Sequence, residues 1–278
     1  MGASVEAIAM HIRPIHGFVA RTFALLRRYW AWEVTWLVYS AALVTTTGFL
    51  AVGMREVAGT ELPTDRILVY LLTGSLLWRY LSELFSETSN VIAWERWEGT
   101  IESTFMAPIA RVTHLLGMSL FSVLYAGGRL VLLSLWCALL FHLDLSHANL
   151  PAACAVLGLS TFSLIGLGLM GASLPLIYPE KGSQMAGLIE AGLLVVSGVY
   201  YPVSVLPGWL RVMSTASPIT YTLRGMRAAM LEGATLADLR GEMIPLVLTA
   251  VVLIPLGMKV FSLAEVHCKR TGKLKRSG

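Results

Sequence analysis

The stretch Trp94–Arg111 reads WERWEGTIESTFMAPIAR. It sets Glu95, Glu98 and Glu102 among two tryptophans and two arginines, between long apolar runs. The whole chain of 278 residues is 56% hydrophobic and only 14% charged, with a net charge of +4. A soluble domain carries roughly 25% charged residues. A deficit of this size, with a mean hydropathy of +0.69, points to burial in lipid. Wound at about 100° per residue, the stretch places Trp94, Trp97, Ile101 and Phe105 on one face and Glu95, Glu98 and Glu102 on another. Pro108 is expected to end this helix and Arg111 to open the next. Tryptophans rest against headgroups while carboxylates reach water. Anionic headgroups repel such an acidic row, so a soluble partner with basic residues suits it. A merely solvated acidic face is the plain alternative.

Outward from this stretch, six runs reach the about 20 residues needed to cross a bilayer. They are Val34–Met54, Ile67–Phe85, Val112–Phe141, Leu150–Ile177, Met185–Val203 and Met243–Leu263. An even number puts both termini on one side. Arg13, Arg21, Arg27 and Arg28 precede the first run, and Lys269, Arg270, Lys273, Lys275 and Arg276 follow the last. The positive-inside rule then makes both termini cytoplasmic, and with them the quoted stretch. No cleavable signal is expected ahead of the first run. Trp30, Trp32 and Trp36 fit an aromatic belt at its mouth. Just before it, Phe18, Val19, Phe23, Leu25, Leu26, Tyr29 and Trp30 share an arc opposite Arg21, Arg27 and Arg28, the pattern of a helix lying in the membrane surface. The expected architecture is one all-α integral membrane domain: an interfacial helix over 1–33, a six-span region over 34–263 and a basic tail over 264–278.

Charges inside spans are costly, from about 3 to more than 10 kcal/mol at mid-bilayer, so they pair or face water. Arg79 and Glu83 are i, i+4 on one helix and can pair locally. Arg129 has no local partner and is expected to meet Glu83 or Glu190, or to face a transport cavity. Other patterns carry less. Gly166–Gly171 reads GLGLMG, but inside an uncharged run, where small residues serve close helix packing. Cys137, Cys154 and Cys268 have neither metal spacing nor a disulfide pattern. No metal site is expected: His142, Asp144 and His147 in one turn lack a clear further ligand. The basic residues line no single face, which argues against nucleic acid. No G-x-x-x-x-G-K-[ST] loop occurs to cradle a nucleotide.

Three motifs carry a resemblance. Trp97, Glu98, Gly99, Thr100, Glu102 and Pro108 come close to a W-E-x-G-T-x-E…P pattern between spans two and three. Ser197, Gly198, Tyr201, Pro202, Leu206 and Pro207 lie in SGVYYPVSVLP, and Pro218, Tyr221 and Arg227 in SPITYTLRGMR. In this order and these loops the chain resembles the membrane subunit of an ABC-2 type transporter. The resemblance implies an exporter permease that dimerises with itself or a related subunit. Its charged segment, with Trp94 and Glu95, would be a coupling helix docking into a separate ATPase, which holds the ATP and magnesium. This chain would be no enzyme and would bind no cofactor. The segment after span five would re-enter the outer leaflet as a helical hairpin near an external gate. Pro202 and Pro207 would break the span there and Ser217–Pro218 would start a new helix; a simple surface loop is the alternative. The substrate would be amphiphilic or hydrophobic, a drug, lipid or glycolipid, moved outward across the cell membrane. Two rivals remain: an ion-coupled secondary transporter using Arg79, Glu83, Arg129 and Glu190, and an intramembrane lipid-modifying enzyme using His142, Asp144 and His147 or the buried acids.

Overall fold

Apolar segments that leave water must satisfy every backbone N–H and C=O internally, and a helix does this within one segment. A computed structural model of the chain describes residues 2–58, 64–109, 111–143, 146–272 and 274, with side chains at 14–54, 66–109, 113–143, 146–272 and 274. Among the described residues the regular structure is helical throughout. In order come α1 (Gly2–Arg28), α2 (Trp30–Ala58), α3 (Thr64–Ser89), α4 (Val91–Glu98), α5 (Ile101–Met106), α6 (Arg111–Phe141), α7 (Leu150–Ile177), α8 (Gly182–Ser197), α9 (Gly208–Ala216), α10 (Pro218–Leu231) and α11 (Arg240–Thr271). A single 3-10 turn, Val203–Val205, precedes α9. Asp144, Lys273, Lys275 and Arg276 lie outside the described residues, as does the Arg13 side chain.

Four segments are long and apolar enough to cross a membrane: Trp30–Met54, Thr113–Phe141, Leu150–Ile177 and Arg240–Thr271. The six runs expected from the sequence thus become six helices of which four qualify on length and composition. The other two fall short for different reasons. With 26 residues α3 has the length, but Arg79, Glu83 and Glu87 dilute its hydropathy. The fifth run, expected to reach Val203, stops at Ser197, because Gly198 turns left-handed at φ +72°. The 16 residues of α8 rise about 24 Å, less than the roughly 30 Å of a hydrocarbon core.

The spine of the bundle is α7, packed along α11 on one side and α3 on the other. Glycines set these distances. A Cβ at Gly166 would stand 2.6 Å from the Leu253 carbonyl carbon, and one at Gly168 would stand 2.6 Å from Thr88 Cβ. The GLGLMG run is therefore a packing stripe, since lipid gives helices no hydrophobic drive to associate and close backbone approach must supply it. Hydrogen bonds add to it: Ser163 Oγ donates to the Leu246 carbonyl at 3.0 Å. Around the spine lies a core of Leu81, Leu84, Phe85, Leu164, Ile219 and Leu223. A second cluster at the α4 end joins Ile92, Ile101, Leu176 and Phe261. A third joins Val44, Leu72 and Cys137.

Helix α1 is more than a surface float. Phe18 lies 4.9 Å from the His114 ring and Phe23 meets Phe121 edge-on at 5.4 Å, so part of its apolar arc packs on α6. Trp30 and Trp32 remain exposed at the head of α2.

Candidate functional site

Three groups of residues singled out by the sequence fall in three places along the bundle. At one end, the stretch between α3 and α6 is two short helices rather than the single helix expected over Trp94–Ala107. Gly99 adopts φ +76° and closes α4, its N–H donating to the Arg96 carbonyl at 3.1 Å while the Thr100 N–H reaches the Glu95 carbonyl at 2.9 Å. This is a helix-terminating cap that glycine takes without a steric penalty. After it α5 starts in a new direction and ends at Met106, with Ala107 extended as the residue before Pro108 must be.

The elbow redistributes the glutamates. Glu95, expected on the water-facing row, is 1% exposed and sits 3.0 Å from His114 Nε2 of α6. Glu98 pairs with Arg21 of α1, whose guanidinium also donates to Thr100 Oγ1 at 3.1 Å. Arg96 donates to the Leu176 carbonyl at the end of α7, 3.1 Å away. Burial holds Arg96 below its ordinary pKa, though a guanidinium stays charged at any physiological pH. Ile92 and Ile101 are buried beneath. On the outer side Trp97 is 65% exposed and Met106 86%, with Glu102 and Pro108 also exposed and Trp94 stacked edge-on against Trp97. The segment is thus bolted to α1, α6 and α7 on one face and exposed on the other.

Midway along the bundle the spanning charges do pair. Arg129 Nη1 meets Glu83 Oε1 at 2.9 Å, and Arg79 Nη2 lies 3.6 Å from the other oxygen of the same carboxylate. Both arginines also donate to Ser40 Oγ of α2, at 2.9 and 3.0 Å. Arg129 reaches Tyr125 OH at 2.8 Å, and that hydroxyl donates in turn to Glu33. Glu190 of α8 accepts from Ser82 and lies near enough to Arg79 for their charges to interact. The void left within the cluster is about 10 Å³, room for no more than about one water. Sequence reasoning missed Ser40, Tyr125 and Glu33; the one signal was the i, i+4 spacing of Tyr125 and Arg129.

At the opposite end, α8, α9 and α10 form a cap. Ser197 Oγ and Ser217 Oγ are 3.0 Å apart, so the residue ahead of α10 serves a side-chain contact to α8 and leaves the helix start to Pro218. Ser214 donates to the Val196 carbonyl, Tyr201 OH to the Val195 carbonyl and Tyr221 OH to the Thr215 carbonyl. Pro202 precedes the 3-10 turn, Leu206 is buried and Pro207 leads into α9. Arg227 binds them together. It donates to the carbonyls of Gly198 and Val199, and its guanidinium lies 3.6 Å from the centre of the Tyr70 ring on α3. Ser214 and Tyr70 carried no signal in the sequence. His142 and His147 are exposed, and among the described residues no three His, Cys, Asp or Glu side chains gather as metal ligands.

The ABC-2 type transporter profile matches residues 18–231, well over half of the chain and including all three places. The chain belongs to the ABC-2 type transporter family. It is a multi-pass membrane protein and the permease of an ABC-type transporter, a class that works with an ABC ATPase. Among curated proteins none matches the permease significantly.

Proposed function

We propose that the permease is half of an exporter: two copies, or one copy and a related permease, joined to two separate ATPase subunits, move an amphiphilic or hydrophobic compound outward across the cell membrane. In this reading α2, α3, α6, α7, α8 and α11 cross the bilayer and both termini are cytoplasmic. Arg27 and Arg28 at the end of α1, with Lys269 and Arg270 at the end of α11, support that orientation. The short α8 completes its crossing with the folded-back α9–α10 hairpin as an external re-entrant cap; its backbone groups are met by Arg227, Ser214 and Tyr201, as non-helical chain at that depth requires.

One observation carries the reading: the α4–α5 elbow presents Trp97, Glu102 and Met106 outward while Glu95, Arg96 and Glu98 fasten it to α6, α7 and α1. A surface exposed on one side and bolted on the other suits a lever that a moving subunit pushes. ATP and magnesium belong on that subunit, since this chain has no phosphate-binding loop. The permease itself carries out no chemistry in this scheme. The intramembrane charges are a fixed brace; a void of about 10 Å³ gives no support to an ion-coupled pathway through them.

The test is affinity capture of the tagged permease from its host in mild detergent. A stoichiometric ATPase with a phosphate-binding loop is expected. Trp97→Glu with Glu102→Lys should release it while gel filtration of the permease stays unchanged. Undiminished retention and stimulated ATPase in that double variant would overturn the docking role.

A further inference from the structure

Beside the elbow lies a cavity of about 550 Å³ between α1, the head of α2, α4 and α6. Drug-sized ligands occupy cavities of about 300–1,000 Å³. Its walls are Leu25, Leu26, Tyr29, Trp32, Trp94 and Phe121, two aliphatic side chains and four aromatic rings. Ring faces attract cations through their quadrupole, most strongly where water is scarce.

Charged groups from four helices reach this cavity, Arg21 of α1, Glu33 of α2, Glu87 of α3, and Glu95 and Glu98 of α4, while α6 contributes Met118, Phe121, Ser122 and Tyr125. Most are already engaged. Arg21 is taken by Glu98, and Glu95 by His114. Glu33 accepts from Tyr125 through one oxygen. Glu87 accepts no hydrogen bond and joins no ion pair among the described residues. An apolar, aromatic cavity whose lining includes a carboxyl group without a partner selects by charge. A lipid phosphate or other anion would face four carboxylates with the one arginine already committed. A neutral molecule would meet the rings but give the charged form of Glu87 no partner. An organic cation answers both the rings and the acid.

We propose that this cavity, at the cytoplasmic leaflet, is where the exporter takes up its cargo, and that the cargo is a hydrophobic organic cation held by Glu87 and Glu33. The proposal rests on the permease reading above and narrows its substrate class. Entry here places the cargo against Trp94 of the same elbow that the ATPase would push, so binding and drive meet on one element.

Tetraphenylphosphonium and tetraphenylborate, hydrophobic ions of nearly the same shape and opposite charge, are the probes. Equilibrium dialysis of each against the purified chain in dodecyl maltoside, an uncharged detergent, reads binding without the ATPase, so this proposal and the permease reading can fail separately. One phosphonium per chain above empty micelles is expected, with no excess of borate. Glu87→Gln and Glu33→Gln should each raise Kd by about tenfold or more, the loss of one charge contact. Glu87→Gln removes no contact within the fold, and Glu33→Gln keeps an acceptor for Tyr125, so both should remain monodisperse. Glu190→Gln, away from the cavity, should bind as the wild type does. Equal binding by wild type and Glu87→Gln, preference for borate, or no excess over micelles with folded protein would overturn the assignment. So would displacement of the phosphonium by equimolar phosphatidylethanolamine, which would give the cavity to a bilayer lipid.

Discussion

Glu83 stands between two guanidiniums, and removing it differs from removing either arginine. Arg129→Met leaves one carboxylate facing one arginine, a balanced pair that has lost a charged hydrogen bond worth about 1.5–3 kcal/mol. Glu83→Gln leaves Arg79 and Arg129 converging on Ser40 with no countercharge, a loss of about 3–5 kcal/mol as for other broken buried pairs. The double variant should recover part of that deficit. Thermal unfolding in detergent should rank wild type, then Arg129→Met, then the double, then Glu83→Gln; identical midpoints would mean that the cluster adds no stability. At this scale the sequence was partly legible. The i, i+4 step from Arg79 to Glu83 announces a pair, and Arg129 had few acids to choose from. The fate of Glu95 was hidden, because its partner His114 lies 19 residues away and a helical projection knows nothing of the neighbouring helix.

The elbow is the element on which the projection failed. Winding Trp94–Ala107 as one helix ignores that Gly99 closes α4 with a left-handed turn, and past that point every residue faces a new way. Non-glycine residues pay about 1–2 kcal/mol in that conformation, with asparagine the mildest case and β-branched side chains the worst. Gly99→Asn should therefore keep ATPase retention near wild type, and Gly99→Val should weaken it several-fold through displacement of α5. Circular dichroism should show the same helix content in both; full retention in Gly99→Val would mean that the elbow angle is unimportant to docking. Elsewhere the elements were easier to read. Pro202 and Pro207 announced a break after the fifth run, and Ser217–Pro218 a new helix. The break falls earlier than the prolines because Gly198 ends α8 first. Likewise the apolar arc of α1 was visible, but not that Phe18 and Phe23 spend it on α6.

The whole molecule turns on which ends of the helices share a side, and hydropathy alone leaves this open for α3 and α8. Cysteine labelling resolves it in a background where Cys137, Cys154 and Cys268 are replaced. With the proposed topology, Ser146→Cys and Ala237→Cys should react with an impermeant maleimide on intact cells. Ser103→Cys and Lys181→Cys should react only in inverted membranes. Labelling of Ala237→Cys only in inverted membranes, with Lys181→Cys also inside, would require α8 to stay on the cytoplasmic side and would leave five crossings. The overall architecture was nonetheless the most legible part of the chain, because lipid permits few solutions: apolar length fixes the helices, and small residues such as Gly166 and Gly168 mark where they touch. What composition could not show is how a 16-residue helix ends at depth. The carbonyls just past its end, Gly198 and Val199, wait for Arg227, which is 29 residues further along the chain than Gly198. During synthesis, then, α8 reaches the insertion machinery with an unfinished end, and only the arrival of α10 completes it. A ribosome stalled before residue 227 would hold a segment unable to settle, so the cap is also a checkpoint in the order of biogenesis.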